Sequence, residues 1–513
     1  TYGSGLAQRL IIGRYPLRII ETKRAKQVLW LFVLGLTVCL AMPSAAPAAG
    51  FATSGIGIKA RSMGGAFRGL ANDWSAAYYN PAGLAGLKSS ELNFTVGTYS
   101  PRASYTPNVT AGGLDIGFGA ANGAERYPLD DLWPIPSFAG FAVSPSFENW
   151  VFGGAIYWPH DVNYAWDLFR TPSDRGYVTD YAFAEKNYRT DLDVLDIHPA
   201  VARKLNEKLS VGLGVSLTSA DIVFRRPVYV ENGLGAPYDI YPYHQFLGDF
   251  RLEGNGFAIG ANAGILWQAS ENLTIGISGQ TPMSVSIEGT DELDMAWPIN
   301  GAFNDDFVVI DGDTINTSLY FSGIHDPLTN VKNPSHTTGM HSFDLDLPGE
   351  IGIGVGLKAG DRLTLAFDAA MTLWSAVDQW EIVLGGDGLN GGTSRLTKVT
   401  VPFNWEDQIR VSGGFEYGAR DNLLLRGGAY YDAAAAPDSA LNPNFPIGSD
   451  AFGLTGGFAY AIDGHIELAA AQEIAFFSEK TVEAVSEGAA VTVFPGDYKL
   501  SRFETIFSIT YRF

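Results

Sequence analysis

Two-residue alternation of apolar and polar positions recurs along most of the chain. In KLSVGLGVSLTS, Leu209, Val211, Leu213, Val215 and Leu217 share one face, opposite Ser210, Gly212, Gly214, Ser216 and Thr218. In DRLTLAFDAAMTLW, Leu363, Leu365, Phe367, Ala369, Met371 and Leu373 oppose Arg362, Thr364, Asp368 and Thr372. In EDQIRVSGGFEY the same split sets Ile409, Val411, Phe415 and Tyr417 against Gln408, Arg410, Ser412 and Glu416. A period of two is that of a strand with one apolar and one polar face. Fourteen such segments are predicted, beginning near Glu91, Ser137, Trp150, Leu192, Lys208, Glu253, Asn272, Pro348, Asp361, Glu406, Asn422, Asp450, Gly464 and Leu500.

Short turns join alternate pairs, and long loops at about 101–136, 158–190, 221–250, 288–347, 375–405, 433–449 and 477–499 join the others. An even strand count with short turns on one rim and long loops on the other predicts an all-β, antiparallel, fourteen-stranded transmembrane barrel of the outer-membrane kind. The last segment agrees, with Phe503, Thr505, Phe507, Ile509, Tyr511 and Phe513 on one face as a closing strand. Trp150, Trp158, Trp267, Trp374 and Tyr417 stand at strand ends, where interfacial girdles are expected. A secreted soluble barrel or propeller would alternate too. The regular alternation of loop lengths and the girdle positions favour the membrane, where closure leaves no backbone group facing lipid.

A barrel of that width has a lumen its own side chains cannot fill. Residues 49–90 precede the first strand and do not alternate; they are rich in small residues, with Asp73 as a helix cap and Pro81 as a breaker or helix start. They are expected to form a compact N-terminal plug, leaving 91–513 as the barrel. Upstream, Lys23, Arg24 and Lys26 precede the apolar run 28–42 and an Ala46-Pro47-Ala48 site. That is the layout of a secretory signal peptide, and the run is shorter than the ~20 residues of a membrane-spanning helix. Residues 1–48 are therefore read as an N-terminal extension and signal peptide. Cys39, the only cysteine, falls within it, so the exported part would hold no disulfide. The net charge of −21 makes nucleic acid a poor partner.

Chemistry is sparse. Seven histidines are scattered, without an H-E-x-x-H motif or a Cys/His cluster, and His336 and His341 lie in an expected loop. Asp305, Asp306, Asp311 and Asp313 miss the EF-hand spacing, so a solvated acidic loop is preferred to a Ca²⁺ site. No nucleophile and base are nominated. The reading is of a protein that is not an enzyme and uses no metal or cofactor. The expected loop 221–250 is unusually apolar, with Phe224, Val228, Tyr229, Tyr238, Ile240, Tyr241, Tyr243 and Phe246. It would form a greasy surface groove or pack on other loops.

The segment GGAFRGLANDWSAAYYNPAGLAGL resembles the N-terminal hatch of the FadL/TodX family of outer-membrane transporters for hydrophobic compounds, with Asn80-Pro81-Ala82 as its Asn-Pro-Ala motif. The start Ala49-Gly50-Phe51, the segments IHPAVARKLNEKLSVGLGVS and NWEDQIRVSGGFEYGARDNLLLRGGAYYD, and the terminal Phe513 are similar in the same order. The resemblance implies a fourteen-stranded barrel closed by a hatch. It implies passive uptake of long-chain fatty acids or similar hydrophobic compounds, captured in a groove between loops 221–250 and 288–347. Ligand would then enter a pocket at the hatch N-terminus, beside Phe51, and leave sideways into lipid by a kink in the strand from Trp150. Fatty-acid members pair the carboxylate with a basic side chain, here Arg226, with Arg225 next in line. A second basic position past Trp374-Ser375 corresponds to Glu381, which leaves room for neutral alkanes or monoaromatics. The implied partners are the hydrophobic ligand, outer-membrane lipid and lipopolysaccharide, around a monomer. A general polar porin is the remaining alternative.

Overall fold

A computed structural model of the protein describes residues 52–53, 55–107, 127–129, 133–143, 149–167, 186–231, 245–296, 307–310, 313–316, 335–385, 389–391, 394–446, 448–462, 464–483 and 496–513. The first of these hold short helical elements: α1 (Ile58–Ser62), α2 (Ala76–Tyr79) and a 3-10 turn over Pro81–Gly86. After α1, Gly64 and Gly65 sit at φ of 71° and 86°, a left-handed turn that reverses the chain.

Antiparallel strands follow. They are β1 (Glu91–Pro107), β2 (Trp133–Val143), β3 (Trp150–Trp166), β4 (Tyr188–Asn206), β5 (Leu209–Glu231) and β6 (Gln245–Ser270). Next come β7 (Leu273–Gln280), β8 (Met283–Ala296), β9 (Ser335–Leu347), β10 (Glu350–Lys358), β11 (Leu363–Thr372), β12 (Gln379–Leu384) and β13 (Lys398–Pro402). The series ends with β14 (Gln408–Arg420), β15 (Leu423–Asp432), β16 (Ala451–Ala461), β17 (Ile466–Phe477), β18 (Lys480–Val482) and β19 (Gly496–Arg512). Consecutive strands pair from β1 to β7. The ladder continues through β7–β10, β10–β11, β11–β14, β14–β15, β15–β16, β16–β17 and β17–β19. β19 pairs on its other side with β1, from Glu91 opposite Arg512 to Pro107 opposite Gly496.

The polarity of these strands is the inverse of a water-soluble fold. Along β1, Leu92, Phe94 and Val96 are exposed while Asn93 and Thr95 are buried. Leu213 and Ile259 are 62% and 65% exposed, whereas Ser216, Thr218 and Asn262 are buried. An apolar outside and a polar inside fit strands whose outer face meets hydrocarbon. Trp150, Trp267, Tyr460, Tyr511 and Phe513 are exposed near the short turns, as girdle residues should be. Trp374 is not among them: it is fully buried, because Trp374–Ala376 forms a 3-10 turn that interrupts the alternation.

The expected long loops are shorter than their sequence suggests. Most of 221–250 is strand, with Arg226 opposite Phe250 and Pro227 opposite Asp249 in the β5–β6 ladder. Backbone groups that rise above the membrane still need partners, and a hairpin supplies them. Phe224 accordingly points into the interior and lines no surface groove. Residues 238–243 lie outside the described residues.

Charge ties residues 52–90 to the strand wall. Arg61 pairs with Glu473 at 3.4 Å and with Glu504; Arg68 pairs with Glu350 and, at 3.5 Å, with Asp368; Lys59 pairs with Glu416 at 3.1 Å. Asp368 also accepts the backbone N–H groups of Phe67 and Arg68, at 2.9 and 2.7 Å. Burial works against the Arg68 charge, but Glu350 and Asp368 more than offset it and hold its pKa above the ordinary value. At Arg61 burial prevails over Glu473, and the pKa is lowered.

A buried charge stripped of its partner is costly. Arg68→Met is therefore expected to destabilise the protein by about 3–5 kcal/mol. Lys398→Ala, which removes an exposed partner of Glu381, should cost less than about 1 kcal/mol. Denaturant titration of the purified protein in detergent checks both, and equal effects would refute the electrostatic role given to Arg68.

Candidate functional site

Asn80, Pro81 and Ala82 form a buried knot between the N-terminal segment and the wall. The Asn80 side-chain carbonyl accepts from the Ala82 N–H at 3.2 Å, and Pro81 opens the 3-10 turn, where its missing N–H is harmless. The Asn80 amide donates to the carbonyls of Arg68 and Ile265, both at 3.1 Å. One side chain thus joins its own turn, the loop after α1 and strand β6. The wall gives way to it. A Cβ at Gly212 would strike the backbone of Pro81 and Ala82, and one at Gly264 would strike the Asn80 side chain. Gly276, Gly356, Gly414 and Gly428 make similar close approaches to residues 63–70 or Asn80.

Further contacts complete the seat. Ser278 donates to the Tyr79 carbonyl at 2.6 Å, and Thr455 to that of Ser62 at 3.0 Å. The Tyr79 hydroxyl accepts from the Ile56 N–H at 3.1 Å, and burial pushes its pKa up to about 12. A polar cavity of about 70 Å³ remains beside this seat, lined by Arg68, Tyr78, Glu350, Asp368, Arg410 and Asp432 among others. At its edge Ala52 bridges His160, and the Thr53 N–H donates to the Pro159 carbonyl at 2.9 Å. Strand β3 is irregular there: Tyr157 faces Asp196 and His160 faces Val194, so Trp158 and Pro159 together oppose Leu195. Among the described residues the β2–β3 ladder runs only from Val143–Phe152 to Ala139–Ile156.

Beyond this level the interior is aromatic. Trp374 meets His160 at 6.2 Å between ring centres and Trp405 at 5.0 Å; Trp380 meets Phe403 at 4.9 Å, Phe343 at 5.3 Å and Phe224 at 6.1 Å. Ala52 packs against the same cluster. Part of it comes from the expected loop 433–449, which turns inward: Phe445 stands 5.3 Å from Trp380 and 5.0 Å from Phe403. Asn444 anchors it by donating to the carbonyls of Arg189 and Arg225, both at 3.0 Å. His341 and Asp291 interrupt the apolar wall, 3.7 Å apart and wholly buried.

The residues nominated from sequence fare differently. Asn80, Pro81 and Ala82 come together as described. Phe51 lies outside the described residues, directly before Ala52. Arg225 and Arg226 sit on strand β5 and not on a loop. Arg225 is bound to Asp249, while Arg226 has the buried Tyr188 as its electrostatic neighbour. Glu381 is exposed and paired with Lys398 at 2.5 Å, so it does not face the interior. Trp380 does, one residue earlier. His336 and His341 lie on strand β9, where an odd spacing puts them on opposite faces. Asp305, Asp306 and Asp311 lie outside the described residues. Sequence reasoning passed over Trp380, Phe403 and Phe445, although the parity of Trp380, Ile382 and Leu384 in QWEIVL signals one buried face.

Comparisons with known proteins agree with this architecture. The model of the family described as outer membrane protein transport protein (OMPP1/FadL/TodX) matches residues 39–513. A long-chain fatty acid transport protein of Escherichia coli O6:H1 is 23% identical over 358 residues, covering 65% of this chain and 70% of that protein. The crystal structure of a Pseudomonas aeruginosa FadL homologue superposes with a TM-score of 0.67 at 18% identity, over 90% of this chain and 99% of that one. The toluene transporter TodX of P. putida gives 0.63 at 14% identity, over 90% and 99%.

The seat at Gly212 and Gly264 makes a prediction. Gly212→Val should displace the Pro81–Gly86 turn and raise passage of small sugars into liposomes several-fold, while an outward change such as Leu213→Val should not. Unchanged permeability in Gly212→Val would show that the turn does not seal the interior.

Proposed function

Because the chain belongs to the OMPP1/FadL/TodX family of outer-membrane transport proteins, whose members carry hydrophobic compounds and are not enzymes, we propose that it imports long-chain fatty acids or closely similar amphiphiles. In this reading residues 49–90 are a hatch inside a fourteen-stranded barrel, and the ladder that returns from β19 to β1 supports that closure. Capture occurs among the extracellular hairpins, followed by transfer to the aromatic interior above the hatch. The observation that carries the proposal is the composition of that interior. A polar diffusion pore has no use for Trp374, Trp380, Phe403 and Phe445 packed across its path, whereas an alkyl chain gains ~25 cal/mol per Å² by leaving water there.

Release is proposed to be lateral. The bulge at Trp158–Pro159 and the short β2–β3 ladder favour an opening beside β3, and the docking of Ala52 and Thr53 on the bulge favours control by the hatch. Phe51, next in the chain, would meet the ligand at that point. Movement is passive, and a single chain suffices, surrounded by outer-membrane lipid and lipopolysaccharide. Arg226, on strand β5 with the buried Tyr188 as its electrostatic neighbour, is proposed as the carboxylate partner, while Arg225 beside it is neutralised by Asp249. That same neutralisation, together with the aromatic lining, favours neutral hydrocarbons as the second reading; the toluene transporter TodX shares the fold.

Binding of a labelled long-chain fatty acid and of toluene to wild type and Arg226→Met separates the two. Loss of a charge-assisted hydrogen bond should weaken fatty-acid binding about tenfold and leave toluene unchanged. Unaltered fatty-acid affinity would remove the carboxylate assignment, and binding of toluene alone would favour the second reading.

A further inference from the structure

A chain of buried hydrogen bonds crosses four neighbouring strands between the bulge of β3 and helix α2. The Tyr157 hydroxyl, adjoining the bulge, lies 2.9 Å from the Asp196 carboxylate and 3.0 Å from His198 Nδ1. Nδ1 is also 3.0 Å from the Ser216 hydroxyl, and Nε2 lies 3.1 Å from the Asn262 side-chain carbonyl. The Asn262 amide donates to the carbonyls of Ala77 at 2.7 Å and Tyr78 at 3.2 Å. Tyr78 returns to the start, its ring edge-on to that of Tyr157 at 5.3 Å. Tyr157, Asp196, His198 and Asn262 are all nearly inaccessible. Gly214 keeps the path open, because a Cβ there would collide with both His198 Nε2 and the Asn262 carbonyl.

The chain has a direction. Two carbonyls can only accept, so they fix the Asn262 amide with its NH₂ toward α2 and its oxygen toward His198. That oxygen in turn requires the proton on Nε2. The single Tyr157 hydrogen goes to the Asp196 carboxylate, which can only accept, so in the neutral ring Nδ1 takes its hydrogen from Ser216; Asp196 itself lies 3.3 Å from Nδ1 and joins the ring to Tyr157. Withdrawal of the Ala77 and Tyr78 carbonyls would release Asn262 and with it the only partner of Nε2 among the described residues. The ring would then be held at Nδ1 alone, with its tautomer no longer fixed.

We propose that His198 is a positioning residue that couples the seat of α2 to Tyr157, and so to the bulged stretch Trp158–Pro159 of β3. Its effect on uptake rests on the reading of that bulge as the exit; the coupling itself does not. Glutamine can donate from its amide and accept at its carbonyl as the imidazole does, whereas leucine of similar bulk can do neither.

The test uses the full chain with Cys39→Ser and spin labels at two exposed positions, Ile156 on β3 and Asn72 ahead of α2. His198→Leu is expected to broaden the distance distribution between the labels about twofold. Uptake should fall about tenfold, with ligand affinity within about twofold of the parent. His198→Gln should keep a narrow distribution and uptake within about threefold. Asn262→Asp, which can still accept from His198 but cannot donate to Ala77 and Tyr78, should behave as His198→Leu and provides the test should the leucine variant fail to assemble. An unchanged distribution in the leucine and aspartate variants overturns the coupling, as does a glutamine variant as broad as leucine. A broadened distribution with normal uptake upholds the coupling and overturns the lateral exit.

Discussion

Buried carboxylates inside a wall whose outer face meets lipid need positive partners, and residues 52–90 supply several of them. Glu350 and Asp368, from β10 and β11, pair with Arg68; Glu416, from β14, is shared by Lys59 and the wall's own Arg426, and Glu473 and Glu504, from β17 and β19, by Arg61 and the wall's own Arg502. Ionised groups at membrane depth survive only when paired or hydrated. At Glu350 and Asp368 the wall depends on the N-terminal segment for its positive charge. Gly352 and Gly354 make room for this pairing, since a Cβ at either would strike the Arg68 or Asp368 side chain. What lies beyond, the aromatic interior and the bulge of β3, takes its floor from this junction.

The division of labour along the interior follows. Near the junction buried ion pairs and directional hydrogen bonds accompany apolar packing, which suits a part that must hold one position. Farther on, Trp374, Trp380, Phe403 and Phe445 offer broad, weakly directional contacts, which suit a ligand without fixed hydrogen-bonding pattern. Arg226, Tyr188 and the His341–Asp291 pair are polar points set into that apolar surface. In the proposed reading they are the points at which a carboxylate and a neutral hydrocarbon would be told apart.

Much of this was legible in the sequence because a strand has a period of two. The alternation in KLSVGLGVSLTS and at the C-terminus placed strands and faces where β5 and β19 have them. Period alone does not say which face is outside; the loop lengths and girdle residues supplied that. It failed where parity slips. The 3-10 turn at Trp374–Ala376 carried Trp374 inward, and the alternation of β12 put Trp380 inside and Glu381 out. The segment 433–449 has no period, and its burial depends on Asn444 finding carbonyls more than two hundred residues away in sequence. His198 looked like one more scattered histidine because its partners sit on other strands, with Ser216 and Asn262 18 and 64 residues distant. The role of Asn80-Pro81-Ala82 came from family resemblance; the reason for it, one amide serving three segments, needed the coordinates.

The mutual dependence of wall and N-terminal segment also constrains how the molecule is made. Only a short stretch, Leu87–Ser90, separates the 3-10 turn from β1, and β1 pairs with the final strand. In the proposed reading of a closed barrel around this segment, a wall that formed first would leave Glu350 and Asp368 without Arg68. In that reading the seating of the N-terminal segment and the pairing of β19 with β1 are coupled steps.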